Sequence, residues 1–370
     1  MSLTQLPSGL VVPDRHRRNG NGWVSVDELS DSAWDTAFAS LGNLHYEQTA
    51  AYTTAQWGER KSSHLVVRDG DEIAGGARVT LLKLPSLGRG IAWVRFGPVW
   101  RPRGSDRDAS AYKSIVQALI DEYCTRRGLL LSILPRPDPD FGHVEQQALQ
   151  EMGFIDRKRY SDWDHYFVNV TLDEDAQHKS LSRHWRRSLK EAQAAGLEIG
   201  LCTDETSFQQ FEDLHYRMIA RKDAKRTGPI HILHKLRAQL PEDALKLVLV
   251  SHHGRPVAGA VFAPLGDIAY YILGSTSDEA LPLRAGFAKH WWIVRWLSER
   301  GFKWYDIGGT AGNKGLEVFK SGLSGRAGRV VPVPGEYEFW GRASDRLISD
   351  AVFGLRPLYR KITGFRRFLA

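Results

Sequence analysis

Cysteine is almost missing from this chain: Cys124 and Cys202 are the only two in 370 residues, and no C-x-x-C occurs. A disulfide framework is therefore excluded, and both read as thiols of a reducing compartment, Cys124 as a buried helix residue. Long apolar runs are missing too. Nothing approaches the ~18–20 residues a membrane-spanning helix needs. Residues 1–22 are polar, carry Arg15, Arg17 and Arg18, and hold no apolar core of a secretion signal. These absences predict a cytoplasmic protein with no transmembrane segment. Nucleotide and metal signatures are equally absent: no G-x-x-x-x-G-K-[ST], no G-x-G-x-x-G after a strand, no H-E-x-x-H. ATP, NAD and zinc chemistry lose support, and no resident cofactor or metal is expected. The thirteen histidines lack metal-ligand spacing, with His252-His253 in a turn and His231 and His234 at the surface. No Ser/His/Asp or Cys/His arrangement demands a covalent nucleophile. Apolar residues, by contrast, are ample at 42%, with 11% aromatic, which excludes a disordered chain. A net charge of +7 favours phosphate-bearing partners without requiring them.

What is present is said twice. His64-Leu65-Val66-Val67-Arg68-Asp69-Gly70-Asp71-Glu72-Ile73-Ala74-Gly75-Gly76-Ala77 returns about 180 residues later as Lys246-Leu247-Val248-Leu249-Val250-Ser251-His252-His253-Gly254-Arg255-Pro256-Val257-Ala258-Gly259-Ala260. Each copy reads as an apolar strand, a polar turn with glycine, and a second strand opening on a small-residue pair. Phe96-Gly97-Pro98 and Ile272-Leu273-Gly274 then precede polar loops, helices at 111–127 and 283–300, a glycine, and apolar strands at 129–134 and 304–307. A repeat this long is a duplicated domain, not a solenoid unit, and the length suits two domains at about 100–200 residues each. The site is expected in the crevice between the copies.

Three strands, a helix and a strand in that order make an antiparallel meander leading into a crossover. The fold class is α+β, with mixed, mostly antiparallel sheets flanked by helices rather than a doubly wound sheet. Boundaries are expected at 1–34 (arm and short helix), 35–172 (first domain), 173–340 (second domain) and 341–370 (basic helical tail). Helices are predicted over 27–38, 45–57, 144–152, 180–195 and 206–226 besides the two above. Strands are predicted over 64–68, 73–83, 91–100, 166–172, 246–251, 256–263, 268–274 and 303–307. In the 180–195 helix, Leu181, Trp185, Leu189 and Ala192 form the inward face. Arg183 with Arg187, and Arg186 with Lys190, share its outer faces.

These elements resemble tandem GNAT acyltransferase domains, and the second half resembles the Fem family (FemABX). That family comprises nonribosomal peptidyltransferases moving an amino acid from aminoacyl-tRNA onto a peptidoglycan-precursor amine. The matching stretches are Leu181-Ser182-Arg183-His184-Trp185-Arg186-Arg187-Ser188-Leu189-Lys190-Glu191-Ala192 and Tyr270-Tyr271-Ile272-Leu273-Gly274-Ser275. They continue with Gly301-Phe302-Lys303-Trp304-Tyr305-Asp306-Ile307-Gly308-Gly309-Thr310 and Gly315-Leu316-Glu317-Val318-Phe319-Lys320-Ser321-Gly322. The resemblance spans about residues 40–335 and is thinner in the first half, where Gln48, Trp57 and Phe96-Gly97-Pro98 carry it. Two departures stand out. The long coiled-coil insertion of some members is absent, as it is from the shorter ones. The GNAT pyrophosphate loop R/Q-x-x-G-x-G/A is missing from both halves, Arg284-Ala285-Gly286 being a fragment of it. That loop holds the CoA pyrophosphate on backbone N–H groups at a helix N-terminus, so its loss argues against an acetyl-CoA donor.

The resemblance implies site roles. Phe319-Lys320 falls at the inter-domain site, where the Lys320 ammonium would stabilise the tetrahedral oxyanion or hold the terminal phosphate of tRNA. Asp306 ends a strand before two glycines; it reads first as a cap on the turn amides and second as an orienter or proton acceptor for the substrate amine. Arg221, Lys222 and Tyr216 close a helix and complement its dipole; alternatively Arg221 and Lys222 bracket an acceptor diphosphate with Arg60 and Lys61. Arg183, Arg186, Arg187 and Lys190 are either a solvated face or an RNA-backbone contact. Tyr271 and Gly274 lie on the central strand where a GNAT sheet admits its acyl donor; strand tyrosines also read as core. The tail interleaves Arg356, Arg360, Lys361, Arg366 and Arg367 with aromatic and apolar residues. It would contact tRNA, anionic lipid at the inner membrane face, or the first domain. The expected activity is aminoacyl transfer from an aminoacyl-tRNA co-substrate to an acceptor amine, either a diphosphate-bearing cell-wall precursor or a small biosynthetic amine. The alternatives are a CoA-dependent N-acyltransferase and a non-catalytic tRNA- or envelope-binding module.

Overall fold

Duplication shows first in the backbone. The computed structural model describes residues 16–19, 22–83, 89–105, 109–158, 164–222 and 228–341. The tail arginines and most of the N-terminal arm lie outside them. In chain order the first half runs β1 (His16–Asn19), β2 (Gly22–Val26), α1 (Asp31–Phe38), α2 (Ala50–Trp57), β3 (Ser62–Asp69), β4 (Glu72–Lys83), β5 (Gly90–Arg95) and α3 (Ala109–Leu119). A π-helical turn extends α3 over Ile120–Arg126, followed by β6 (Leu130–Leu134), α4 (Gly142–Glu151) and β7 (Ile155–Asp156). Then come β8 (Asp164–Asn169), α5 (Glu174–Ser180), α6 (Arg183–Gln193), β9 (Glu198–Cys202), α7 (Glu205–Lys222), α8 (Leu233–Gln239), β10 (Lys246–His252), β11 (Arg255–Leu265) and β12 (Ile268–Thr276). The described residues close with α9 (Ala285–Ser298), β13 (Trp304–Asp306), α10 (Lys314–Ser324), β14 (Arg329–Pro332) and β15 (Tyr337–Phe339).

The repeated sequence folds the same way down to its irregularities. β3 against β4 carries a bulge between Val67 and Arg68, and β10 against β11 carries one between Val250 and Ser251. An extra residue at one point of a ladder is a specific feature, and here it recurs at the matching place. Gly76 opposes Val66, and Gly259 opposes Leu249. Neither tolerates a side chain: a Cβ at Gly76 would lie 2.3 Å from Leu65 O, and one at Gly259 would lie 2.7 Å from the Phe211 ring.

Strand order departs from the linear boundaries. The first sheet reads β1-β2-β3-β4-β5-β6-β15-β7, and the second reads β14-β8-β13-β12-β11-β10-β9. Reversing the second aligns β9 to β13 with β2 to β6. The next position holds β15 in the first sheet and β8 in the second. Each half therefore gives one strand to the other. β8 pairs with β13, Phe167 opposite Asp306, while β15 pairs with β6, Tyr337 opposite Ile133. Boundaries at 34/35 and 172/173 do not match the sheets. β2, assigned to the arm, is a first-sheet strand; β8, assigned to the first domain, belongs to the second sheet; β15, assigned to the second domain, belongs to the first. The physical reason is burial: β8 hides Tyr166, Phe167 and Val168 inside the second lobe, and β15 hides Tyr337 in the first.

The lobes also share a core. Trp34, Phe38 and Ala50 of the first pack with Phe211, Leu233 and Leu247 of the second. Buried Arg101 donates to Asp267 across the junction at 2.8 Å, and Arg136 donates to the Tyr270 hydroxyl at 3.1 Å. Charged groups this deep are stable when paired and hydrogen-bonded.

Candidate active site

The carboxyl ends of the two parallel strand pairs face each other. In the first lobe β5 and β6 stay in register to Arg95 opposite Leu134, and the Phe96 N–H still donates to Leu134 O at 2.7 Å. In the second, β12 and β13 share three pairs, ending at Tyr270 opposite Asp306. β12 continues to Thr276, so a wedge opens in the second sheet alone. Between these ends lies a pocket open to solvent. His45, Tyr46, Glu47, Arg95 and Phe96 line it from the first lobe, and His165, Tyr270, Tyr271, Asp306 and Gly308 from the second.

Asp306 is buried, and its Oδ1 accepts from the Gly308 N–H at 2.7 Å, the turn-capping arrangement expected of it. Its carboxylate also faces His165 Nδ1, at 3.0 Å to Oδ1 and 2.8 Å to Oδ2. Exchanged strand β8 carries that histidine.

Lys320 sits on helix α10, an element the sequence reading did not assign. Asn313 caps α10 by accepting from the Leu316 N–H at 3.0 Å. The helix then turns Lys320 inward, where its Nζ donates to Ile307 O at 2.5 Å and Gly309 O at 2.6 Å. An ammonium has three donors, so one remains after these two bonds. Gly308 of the pocket wall lies next to it; a Cβ there would be 3.6 Å from Nζ. Burial pushes the Lys320 ammonium down to about 8, against the opposing pull of Asp306.

Phe319 does not reach the pocket wall. Its ring packs with Trp185, Phe287 and His290, and its carbonyl accepts from Trp185 Nε1 at 3.0 Å. This contact ties α6 to α10 and holds Lys320 in place. Burial, with Lys289 and Lys320 close by, keeps His290 well below the usual histidine range. Tyr271 lines the pocket, and its hydroxyl folds across Gly274: a Cβ at Gly274 would lie 1.6 Å from that oxygen. Burial raises this phenol above its ordinary range.

The expected cationic bracket is not assembled around this pocket. Arg60 and Lys61 lie on the short turn Glu59–Lys61 before β3, outside the lining. Arg221 is engaged with Asp278 and donates to Thr276 O at 3.2 Å, while Tyr216 is exposed. The side chain of Lys222 is outside the described residues. On α6, the apolar face is buried as expected, but the cations divide. Arg186 donates to the Lys179 and Leu181 carbonyls at 3.3 and 2.5 Å; Arg187 pairs with Glu191 at 3.0 Å, and Arg183 and Lys190 are exposed. His45, Glu47, Arg95 and His165 were missed by the sequence reading. Only Phe96-Gly97-Pro98, adjoining Arg95, signalled this wall. Gln48, another match, is structural: its side chain bonds the backbone of Arg78 and Arg95, closing the base of the wall.

Residues 179–321 match the family model described as an acetyltransferase (GNAT) domain. The whole described chain is similar in structure to FemX (TM-score 0.69, 18% identity, covering 91% of this chain and 99% of that one). The fold is a Fem-like tandem GNAT. It is also similar to the C-terminal domain of a putative lysylphosphatidylglycerol synthetase from Agrobacterium fabrum (TM-score 0.58, 12% identity, 88% and 98% covered). L-PGS from Bacillus licheniformis is similar at TM-score 0.55 and 13% identity, covering 88% and 96%. By sequence, no curated protein matches the chain. Among the described residues no cluster of metal-ligating side chains occurs, and no helix is long and apolar enough to cross a membrane.

Proposed function

We propose that this Fem-like chain is an aminoacyltransferase: an acceptor amine attacks the ester carbonyl of an aminoacyl-tRNA in the inter-lobe pocket, and the ribose hydroxyl leaves. The supporting observation is the buried Lys320 ammonium, held by the Ile307 and Gly309 carbonyls behind the Gly308 wall of the pocket rather than in its lining. In this reading its third N–H stabilises the oxyanion that forms as the amine adds. A fixed, buried donor is effective because it needs no reorganisation during reaction. The ester is already activated, so positioning and charge stabilisation suffice without a covalent nucleophile. The similarity to the C-terminal domain of a putative lysylphosphatidylglycerol synthetase agrees with this reading. Lys320→Ala is expected to lower transfer from charged tRNA by about 10²–10³-fold, the usual loss on removing one oxyanion donor. Full activity in that variant overturns the role.

The GNAT match favours a second reading, a CoA-dependent N-acyltransferase. Against it, the loop leading into α9 spends amides on itself: Leu281 N–H donates to Asp278 O, Arg284 N–H to Leu281 O and Ala285 N–H to Ala280 O. Arg284 also pairs with Glu191 at 2.9 Å. A CoA pyrophosphate needs such groups free. Thermal stabilisation by micromolar CoA would support the second reading; binding to tRNA with a steep salt slope would support the first. The acceptor is a peptidoglycan-precursor amine or a small biosynthetic amine, and the protein works in the cytoplasm or peripherally at the inner membrane face.

A further inference from the structure

We propose that His165 and Asp306 form the acceptor subsite of the inter-lobe pocket, taking a primary ammonium that carries no phosphate at this point and accepting its proton at His165 Nε2. The proposal rests on the reading of that pocket as the transfer site. His165 Nδ1 faces both carboxylate oxygens of Asp306, and Asp306 is itself fixed by the Gly308 amide. A carboxylate only accepts, so Nδ1 carries the hydrogen, and in its neutral form the ring presents its lone pair at Nε2. That nitrogen has no hydrogen-bond partner among the described residues, and the ring lines the pocket.

The surroundings select charge. Glu47 and Asp306 are the carboxylates of the wall, and Arg95 is its one cation among the described lining residues. Arg95 is committed: it donates to Glu47 at 2.7 and 3.3 Å and lies 4.8 Å over Trp93 and 5.4 Å over Phe96. With Glu47 and Arg95 spent on each other, Asp306 leaves the wall net negative, and the remaining N–H of Lys320 serves the ester oxyanion, so a phosphate here gains no free cation. An ammonium would meet a carboxylate-backed imidazole and aromatic faces, with Tyr46, Phe96 and Tyr270 clustered around His45 at 4.3–4.5 Å. In the step, the ammonium gives one proton to Nε2 and its nitrogen bonds to the ester carbonyl carbon. The C–O bond to ribose then breaks, the second amine proton passes to the departing oxygen, and the imidazolium releases its proton to water. Products are an amide and a free hydroxyl.

Full-length protein labelled with ¹⁵N-histidine, titrated with n-butylammonium and separately with n-butyl phosphate, tests this. His165, assigned by comparison with His165→Gln, is expected to show the Nδ1–H tautomer and a saturable shift at Nε2 with the amine alone. An Nε2–H tautomer, or a shift with the phosphate and not the amine, overturns the subsite. In the charged-tRNA assay His165→Gln should lower kcat by about 10²–10⁴-fold, the range for a lost general base. Because the wild-type titration reads binding rather than turnover, two failures separate. Amine binding without transfer removes the proposed function, whereas transfer undiminished in His165→Gln removes the subsite.

Discussion

Lys320 is charged in a place that disfavours charge, and its consequences run in opposite directions. With the folded-state value near 8 and an ordinary value of 10.5, the ammonium is lost as pH rises through 8 while the unfolded chain keeps its proton. Transfer should therefore fall between pH 7 and 9. Over about pH 8–10.5 the unfolded state binds more protons, so this group's contribution to stability rises with pH. A pH–rate profile measured beside thermal unfolding checks this; activity and stability declining together would contradict it. Gly274 makes a second prediction at this scale. An added methyl collides with the Tyr271 hydroxyl, so Gly274→Ala should lower stability by about 1–3 kcal/mol, as overpacking does. Gly274→Ala with Tyr271→Ala should recover part of that loss in denaturant unfolding, since the colliding ring is gone.

α6 shows how an element can be read and where reading stops. Its apolar residues recur at helical spacing, its buried face was legible, and Ser182 caps it by accepting from the Trp185 N–H at 3.2 Å. Ser182→Ala should cost about 1 kcal/mol of unfolding free energy, measurable by urea titration. α10 escaped because Gly315 and Gly322 disguise a helix; Gly322 is there because Ser182 and Trp185 approach within 2.8 Å of where its Cβ would be. β9 escaped because its residues are exposed or half-buried, leaving no alternation to read. β8 was legible as a strand, but not its sheet, since period-two burial says nothing about a distant partner. The candidate site suffered the same limit. Lys320, Asp306 and Tyr271 fall in motifs, while His165 reaches Asp306 only through the exchanged strand. The expected basic bracket failed because charge runs do not reveal which cations are already paired, as Arg221 is with Asp278.

At the scale of the molecule, a shared core and exchanged strands should make the two halves one cooperative unit. Calorimetry is expected to give a single transition whose van't Hoff and calorimetric enthalpies agree. Two resolved transitions would show lobes that unfold independently. Fragments 1–172 and 173–370, expressed apart, should each leave a sheet open beside its parallel pair, an invitation to aggregation. Exchange also dictates an order of events at the ribosome. Domains generally fold amino-terminal first as they emerge, yet here the sheet that begins near residue 16 keeps a place for Tyr337–Phe339. The lobe that is made first must wait, unfinished, for a strand that follows the whole of the second.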